Sequence, residues 1–374
     1  MKVVFLSNYF NHHQRAFSQA MFDMLEKDYI FIETDKMGEF RVKLGYQLDS
    51  LPEYVIPYEY TITHFEEIKE LINGADVLIT GSSLEKYYEE RKKSKKLIFR
   101  YSERLFKTGN EPLKYFPRLI KYHFLNRSKN IYLLSAGKFT AEDYRRLALF
   151  KRKSFKWGYF PDTKKYEDID TLISSKTENS ILWAGRFLKW KHPEVCFQIA
   201  SKLKQDGYNF TIDMIGTIKR TERITEMAEK YDVKDVINYL GAMKPEMVRE
   251  QMEKHQYFLL TSDQQEGWGA VLNEAMNSGC VALGSDATGS VSYLIKNGDN
   301  GFSYKSGDID ELYLKLKSVL DNKSEQQRLA KNAYKTITEL WNGEVAAERL
   351  ISLAKAILSK ENTTLFENGP CSKA

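Results

Sequence analysis

The sequence predicts an α/β protein of two doubly wound parallel sheets that face each other across a cleft. Short apolar runs alternate with amphipathic segments almost from end to end, which is the pattern of parallel strands covered by helices. The alternation stops at a polar stretch, 163–180, and then restarts. A length of 374 residues exceeds one ordinary domain and suits two.

The first domain is predicted to be 1–165. Apolar runs predict its strands, and amphipathic spacing predicts three helices between them, at 14–26, 65–73 and 138–147. The predicted strands are 2–8, 29–35, 54–60, 75–81, 96–103 and 130–137.

The second domain is predicted to be 166–344, after a charged linker. A last helix is predicted for 343–361, and its stretch from about 345 to 362 could pack on its own domain or cross back to the first. The predicted strands are 181–185, 209–216, 236–241, 257–262 and 281–285. In open parallel sheets ligands bind beyond the carboxyl ends of the strands, so the motifs of interest follow the strands.

Composition narrows the class of protein. No stretch approaches the ~18 apolar residues that span a bilayer, and the first apolar run is too short for a signal-peptide core. The three cysteines (Cys196, Cys280 and Cys371) are an odd number without metal-type spacing. We therefore expect a cytoplasmic protein, peripheral at most at the inner face of the membrane.

Positive charge is concentrated in the segment 86–165, where 23 Lys and Arg face 7 Asp and Glu. Such a field attracts phosphates or anionic lipid headgroups. Within it, the segment 112–125 mixes aromatic residues with cations in the manner of an interfacial helix, although half-buried helices over a sheet have the same pattern. We expect weak, salt-sensitive contact with anionic membranes.

An anion site is predicted after the strand 181–185. Arg186, Lys189 and Lys191 precede Pro193, which is favoured at the first position of a helix. Cations at a helix N-terminus oppose its dipole. Their presence is explained if an anion binds there, contacted by cationic side chains and backbone N–H groups.

Two glutamates flank a helix start after the strand 257–262. Glu266 precedes glycines at 267 and 269, and Glu274 lies inside a helix predicted to open near Gly269. A rise of 1.5 Å per residue separates the two carboxylates by roughly 10 Å, too far to clamp one metal. The gap suits a ligand with hydroxyls at both ends and an anionic middle, as in a nucleotide diphosphate sugar. Apolar neighbours of Glu274 predict burial, so its charge needs a partner.

These residues resemble the retaining glycosyltransferase family 4, whose hallmark E-G-F-G-x-x-x-x-E-A-M-x-x-G stands here as EGWGAVLNEAMNSG. The preceding G-R-x-x-x-x-K pattern stands as GRFLKWK. The similarity extends from about residue 180 to 301. The resemblance implies the GT-B fold, two Rossmann-like domains, and a metal-independent enzyme of bacterial polysaccharide and cell-envelope biosynthesis.

The resemblance also implies residue roles. Arg186 and Lys191 would bind the diphosphate and stabilise the leaving group, Glu266 would hold hydroxyls of the donor sugar, and Glu274 those of the ribose. Catalytic candidates are therefore Arg186, Lys191 and Glu266. The other expected donor-binding positions are Gly185, Gly267, Trp268, Gly269, Ala270 and Val271, with Gly241 and Met243 beside the base.

The first half departs from the family pattern. Many relatives carry a Gly-Gly pair after strand one, whereas this chain has Asn11, His12 and His13 there. Relatives also often place a histidine after a later strand, where this chain has the segment 100–104, which includes Glu103. These four residues are candidates for the acceptor side. The histidines are equally compatible with helix capping or a surface position.

The expected reaction is transfer from a nucleotide sugar, UDP-sugar favoured, to a glycan or lipid-linked glycan with retention. Neither a metal nor a cofactor is expected, because the Asp-x-Asp strings at 168–170 and 308–310 are poor evidence for a metal. The alternatives are a non-catalytic GT-B partner subunit and a nucleotide-sugar epimerase or phosphorylase. A nicotinamide oxidoreductase lacks its glycine motif, and nucleic-acid binding lacks a recognised module.

Overall fold

The computed structural model describes residues 1–39, 50–107 and 130–374, with the single positions 42, 48 and 117. The chain separates into two units. The first contains Met1–Asp162 and Trp341–Ala374, and the second is Thr163–Leu340. The segment 112–125, predicted to resemble an interfacial helix, lies outside the described residues except for position 117.

In its described part, the first unit has one sheet of seven parallel strands in the order β3-β2-β1-β4-β5-β6-β7. The central strand β1 reads VVFLS and is buried throughout, as expected for a parallel strand covered on both faces. The strands are β1 Val3–Ser7, β2 Tyr29–Glu33, β3 Val55–Ile56, β4 Val77–Thr80, β5 Leu97–Ser102, β6 Ile131–Ala136 and β7 Ser154–Trp157. The helices between them are α1 His12–Leu25, α2 Tyr58–Thr63, α3 Phe65–Gly74, α4 Glu89–Lys93 and α5 Lys138–Arg146.

The second unit, described at every residue, has six parallel strands in the order β10-β9-β8-β11-β12-β13. The order reverses between β8 and β11, which is the position where doubly wound sheets bind ligands. The strands are β8 Thr177–Ala184, β9 Thr211–Ile215, β10 Ile237–Gly241, β11 His255–Leu260, β12 Val281–Ser285 and β13 Phe302–Tyr304. The helices are α6 Ile169–Ser175, α7 Glu194–Gln205, α8 Glu222–Lys230, α9 Pro245–Lys254, α10 Val271–Asn277, α11 Val291–Leu294, α12 Ile309–Leu320 and α13 Lys323–Lys335.

The last helix, α14 (Gly343–Leu358), belongs to the first unit and packs against α1. Gly343 makes the contact possible, because a Cβ there would lie 2.6 Å from the carbonyl carbon of Ala16. Just before the helix, buried Trp341 stacks on Phe160 at 6.5 Å between ring centroids. The chain therefore returns to the unit in which it began.

The C-terminal tail extends the first sheet by pairing with β7. Lys373 bridges Phe155 in antiparallel geometry. The backbone N–H of Cys371 donates to the Lys156 carbonyl at 2.8 Å, and that of Ala374 donates to Ser154 at 3.1 Å. β7 is thus paired on both sides, which shields an otherwise open edge.

The structure corrects two predicted elements. The predicted strand 54–60 is only Val55–Ile56, because Pro57 cannot donate to a ladder and the chain turns into α2 at Tyr58. The predicted polar stretch 163–180 contains α6, capped by Asp168, and the first residues of β8. The short strands β7 and β13 were not predicted.

Among the described residues, no helix combines the length and apolar character needed to cross a membrane. All three cysteines are free and buried. Burial raises the pKa of the thiols of Cys196, Cys280 and Cys371. Buried protonated thiols are unreactive packing groups.

Gly343→Ala is expected to destabilise the protein by about 1–3 kcal/mol, because the added methyl would overlap backbone atoms of Ala16 and Phe17. The matched control is Gly74→Ala at the end of α3, where nothing lies within 4 Å of the added atom. Urea unfolding followed by circular dichroism measures both variants. Equal stability of the two would show that the α1–α14 contact tolerates a side chain.

Candidate functional site

Three neighbouring strands of the second unit have a glycine at or directly after their last residue, and their ends approach each other closely. The N–H of Gly185, after β8, donates to Ile215 at 2.9 Å, and the N–H of Gly216, after β9, donates to Gly241 at 2.8 Å. A Cβ on Gly216, which has φ of +150°, would lie 1.7 Å from the Gly185 carbonyl oxygen. The backbones can therefore meet only if position 216 is glycine.

The loop after β8 carries the predicted cations. Arg186 and Lys189 are exposed, and neither side chain has an ion pair with any residue that the structure describes. Lys189–Lys191 form a short 3₁₀ turn, and α7 begins at Glu194 with Pro193 as its N-cap residue. Arg186 directly follows Gly185, at the strand end where the three backbones meet.

Lys191 forms an ion pair with Glu266 of the loop after β11. The Glu266 carboxylate also accepts a hydrogen bond from Ser262 at 3.1 Å, and both charged side chains are only 13% exposed. Of the three cations predicted at this helix start, Lys191 thus has a carboxylate partner. Its sequence neighbours gave no sign of a partner 75 residues away.

Further hydrogen bonds hold the same two loops together. The Thr261 hydroxyl donates to the Lys191 carbonyl at 2.6 Å, and the Asp263 N–H donates to the Trp190 carbonyl at 2.9 Å. Thr261 is itself fixed by the indole N–H of buried Trp183 at 2.9 Å. The loops that carry Lys191 and Glu266 are thus joined through both backbone and side chains.

His192 adds a polar bridge that the sequence analysis missed. Its Nδ1 lies 2.7 Å from Glu194 and its Nε2 lies 3.2 Å from Asp263, while its backbone is left-handed with φ of +48°. Burial lowers the pKa of His192, but the hydrogen bonds to Glu194 and Asp263 outweigh burial and raise it above the ordinary 6.5. The available signal for this bridge was the presence of polar residues in the loops that follow two predicted strands.

The glycine-rich loop after β11 turns tightly around a buried tryptophan. Trp268 donates its indole N–H to Asn273 at 2.9 Å and is 1% exposed. Gly269 has φ of +85°, and a Cβ there would lie 3.2 Å from the Thr288 methyl and 3.4 Å from Glu266. The Trp268 side chain therefore belongs to the core. In the predicted donor-binding stretch from Gly267 to Val271, the groups available to a ligand are therefore backbone groups.

Glu274 lies in the short helix α10, which begins at Val271 rather than near Gly269. Glu266 lies in the loop before α10. The estimate of roughly 10 Å between the two carboxylates applied the helical rise of 1.5 Å per residue to this loop, so its premise was wrong. Glu274 is half-buried among buried helix neighbours, as its apolar surroundings predicted. Arg249 of α9 fixes the far end of α10 by donating to the Asn277 side chain at 2.7 Å.

Gly241 is the last residue of β10, and Met243 follows it at the same carboxyl edge of the sheet. Gly241 has φ of +79°, and Met243 is half-buried. The fold therefore places every predicted donor-side position of the second unit at the ends of the neighbouring strands β10, β9, β8 and β11, or in α10 just after them. Among these residues, direct side-chain contact is seen between Lys191 and Glu266.

The first unit places its four candidates after β1 and β5. The Asn11 side chain caps α1 by accepting the N–H of His13 at 2.9 Å, completed by Gln14 as a capping box. The rings of His12 and His13 lie 3.9 Å apart. Asn11, rather than either histidine side chain, thus has the capping role at the helix start.

Tyr159, which was not predicted, connects two of these candidates. Its ring stacks on His13 at 5.6 Å, and its hydroxyl donates to Glu103 at 2.6 Å. Glu103 also pairs with Lys107. Burial raises the pKa of Tyr159 well above its usual value, so the hydroxyl stays protonated.

Buried Glu33 anchors the loop that carries the histidines. It accepts the N–H of Phe10 at 2.7 Å and of Tyr58 at 3.2 Å, and burial raises its pKa. Glu33 is the last residue of β2, and the sequence contained no signal that would predict its partners.

No group of His, Cys, Asp and Glu able to hold a metal occurs within the described ranges. The Asp-x-Asp strings have another role. Asp168 caps α6 and Asp308 caps α12 through hydrogen bonds to backbone N–H groups.

The second unit is similar to a known family. Residues 165–336 match the family model described as glycosyl transferases group 1.

Two curated relatives match part of this chain. An uncharacterized glycosyltransferase of Haemophilus influenzae is 24% identical over 178 residues, 45% of this chain and 50% of that protein. The GtfA subunit of a UDP-N-acetylglucosamine–peptide N-acetylglucosaminyltransferase from Streptococcus pneumoniae is 26% identical over 137 residues, 36% of this chain and 26% of that protein. The matches thus span half or less of these relatives.

The fold of the whole chain matches solved structures. HepE from Anabaena, solved in complex with UDP, superposes with a TM-score of 0.69 at 12% identity over 95% of this chain and 100% of that chain. A glycosyltransferase from Rickettsia africae gives 0.67 at 15% identity, over 96% and 99%. The two units thus have the Rossmann-like parallel sheets of the GT-B fold, as predicted.

The stability of the second unit is expected to depend on the protonation of His192. Because its pKa is raised, the stabilisation is complete below about pH 6.5 and is lost as pH rises through the raised value. His192→Asn removes this titration while tolerating the left-handed backbone. Thermal unfolding from pH 5.5 to 9 should show a wild-type advantage that shrinks with rising pH.

Asp263→Asn provides the control, because it removes one of the two partners and should flatten the same pH dependence in part. A difference between wild type and His192→Asn that is constant across pH would contradict the bridge.

Proposed function

We propose that the chain is a retaining glycosyltransferase that transfers a sugar from a nucleotide diphosphate sugar, UDP-sugar favoured, to a glycan or lipid-linked glycan of the cell envelope. The observation that carries this proposal is the pairing of Lys191 with Glu266 at the switch point of the second sheet. The family match and the UDP complex of HepE support the donor class.

In this proposal the donor lies over the carboxyl ends of β8 to β11. Arg186 and Lys191 bind the diphosphate, and backbone N–H groups from Gly267 to Val271 line it. Glu266 holds sugar hydroxyls and Glu274 holds ribose hydroxyls. The base lies beside Gly241 and Met243. The two carboxylates and two cations suit a ligand that is hydroxylated at both ends and anionic between them.

When the donor binds, Lys191 and Glu266 would each exchange part of their contact with the other for contact with the donor. Without a donor each group neutralises the other, so neither charge is left half-buried and unpaired. With a donor, Lys191 shares its charge with the diphosphate, and Glu266 becomes available to sugar hydroxyls. The site is therefore assembled before the donor arrives, at a low cost of reorganisation.

The reaction follows from these positions. The bond from the anomeric carbon to the diphosphate oxygen breaks, and negative charge develops where Arg186 and Lys191 lie. The acceptor oxygen bonds to the same carbon from the face that the nucleotide leaves, which retains the configuration. The acceptor proton passes to the departing phosphate oxygen, so no separate base is required.

Acceptor binding is proposed for the first unit. His13, Tyr159 and Glu103 form a connected polar group after the strand ends of that unit. Aromatic faces and a carboxylate are suited to sugar rings and hydroxyls.

Arg186→Ala or Lys191→Ala is expected to lower kcat by about 10²–10³-fold, because each removes a cation from developing charge. Lys230→Ala, an exposed cation at the end of α8, serves as the matched control. The assay first screens nucleotide sugars by thermal shift and nucleotide release, then follows the product anomer by NMR. Unchanged transfer by either variant, or a product of inverted configuration, would refute the proposed mechanism.

A non-catalytic partner subunit predicts a different outcome in the same assay. It would bind a donor without releasing nucleotide, even with acceptors supplied. An epimerase would interconvert sugar nucleotides without an acceptor.

Peripheral contact with anionic membranes is proposed from the basic segment 86–165. Not all of its charge is on the surface. Arg91 is buried and donates to backbone carbonyls such as Asp76 and Leu97, both at 2.9 Å, and burial lowers its pKa to about 10. Lys92 is also buried and pairs with Glu85 at 2.9 Å. The exposed remainder includes Lys93, Lys95 and Lys151.

Vesicles containing phosphatidylglycerol are expected to sediment the protein at 20 mM salt and to release it as salt rises, since exposed charges are screened. Neutral phosphatidylcholine vesicles are the control. Equal sedimentation with the two lipids would argue against membrane contact.

A further inference from the structure

A pocket of about 510 Å³ lies in the first unit, at the end of its sheet where β7 begins. Four cationic side chains line it: Arg145, Lys151, Arg152 and Lys373. Ser154, the first residue of β7, also lines it, whereas Tyr159 follows the other end of that strand. The pocket is therefore at the opposite edge of the sheet from the proposed acceptor residues.

The lining carries unbalanced positive charge. No Asp or Glu side chain lines the pocket. When one carboxylate at Ala374 is counted against the four cationic side chains, the lining still has a net charge of +3. Like charges that converge on one cavity repel each other, and a bound anion converts this repulsion into attraction.

Lys373 is held in the pocket without a carboxylate partner in the described chain. Its ammonium donates to the Arg152 carbonyl at 3.2 Å and to the Thr363 hydroxyl at 3.1 Å, and lies 4.1 Å from the centre of the Phe155 ring. Burial lowers its pKa. Because Thr363 accepts from Lys373, its own hydroxyl hydrogen is directed to another acceptor.

The loop between α5 and β7 shapes one wall with unusual backbone geometry. Ala148, Phe150 and Arg152 all have positive φ, at +55°, +52° and +63°. Left-handed geometry is unfavourable for side chains other than glycine, and it is found where a surrounding structure enforces it, often at ligand sites. The turn is held by the N–H of Leu149 donating to Tyr144 at 3.0 Å and that of Lys153 donating to Phe150 at 2.8 Å.

The remaining lining gives the ligand an organic part. Leu149 and Phe150 supply an apolar wall, and Ser154 and Thr364 add hydroxyl groups. The volume is within the usual range for small-molecule sites. Cations, hydroxyls and an apolar wall together are suited to a phosphate ester.

We propose that this pocket is a second ligand site, which binds a phosphate ester through Lys151, Arg152 and Lys373. The phosphate takes the place of the missing carboxylates, and the organic group lies against Leu149 and Phe150. The ester could be a free metabolite or the headgroup of a phospholipid, which share this chemistry. The site does not depend on the proposed transfer reaction.

The test is calorimetric titration of the whole chain with two phosphate esters, glycerol 3-phosphate and phenyl phosphate, at low salt. Lys151→Gln/Arg152→Gln should weaken binding about tenfold or more, because two charge-assisted contacts are lost. The control is Lys27→Gln/Lys355→Gln, which makes the same charge change at two exposed positions outside the pocket. Arg186→Gln/Lys191→Gln separates this pocket from the proposed donor site.

Binding that survives in the donor-site variant and the control but is lost in Lys151→Gln/Arg152→Gln supports the proposal with a free ester as the source. If neither soluble probe binds but phosphatidylglycerol vesicles retain wild type and not that variant, the proposal stands with a lipid headgroup as the source. Soluble and vesicle binding that are both absent, or both unchanged by Lys151→Gln/Arg152→Gln, would overturn it. Transfer activity is read separately, so failure of one proposal does not imply failure of the other.

Discussion

The ion pair between Lys191 and Glu266 is the interaction on which the second unit's site depends. It joins the loops after β8 and β11, the two strands between which the sheet order reverses. Both groups are mostly buried, so loss of one would leave the other as a half-buried charge without compensation, at a cost of about 3–5 kcal/mol when burial is complete and less here. Thr261, His192 and Asp263 reinforce the same junction.

Close backbone packing makes that junction possible. Gly216 leaves room for the Gly185 carbonyl, and Gly269 leaves room for Thr288 beside Glu266. The small residues are thus needed for the approach of strand ends, which brings backbone N–H groups and charged side chains to one edge. The proposed donor chemistry takes place at this edge of the sheet. In the first unit, a buried side chain holds a strand-end loop: Glu33 accepts a hydrogen bond from the loop after β1.

Much of this organisation could be predicted from the sequence because it is encoded locally. Apolar runs gave most strands of both sheets, and the GT-B fold followed from the motifs around Gly185 and Glu266. Helix α1 was predicted from its amphipathic spacing. These features depend on neighbours within a few residues.

What could not be predicted depends on partners distant in the chain. Lys191 and Glu266 are 75 residues apart, and Tyr159 lies 56 residues from Glu103. The strand β7 alternates polar and apolar residues over only four positions, and its second neighbour is the C-terminal tail. The left-handed His192 has no sequence signature, since glycine or asparagine is usual there.

The central claim is that the Lys191–Glu266 junction binds the donor diphosphate, and a crystal structure of the protein with UDP tests it most directly. The account predicts the diphosphate within hydrogen-bond distance of Arg186 and Lys191, with the ribose at Glu274. UDP bound away from these side chains, with the Lys191–Glu266 pair facing no ligand, would contradict it.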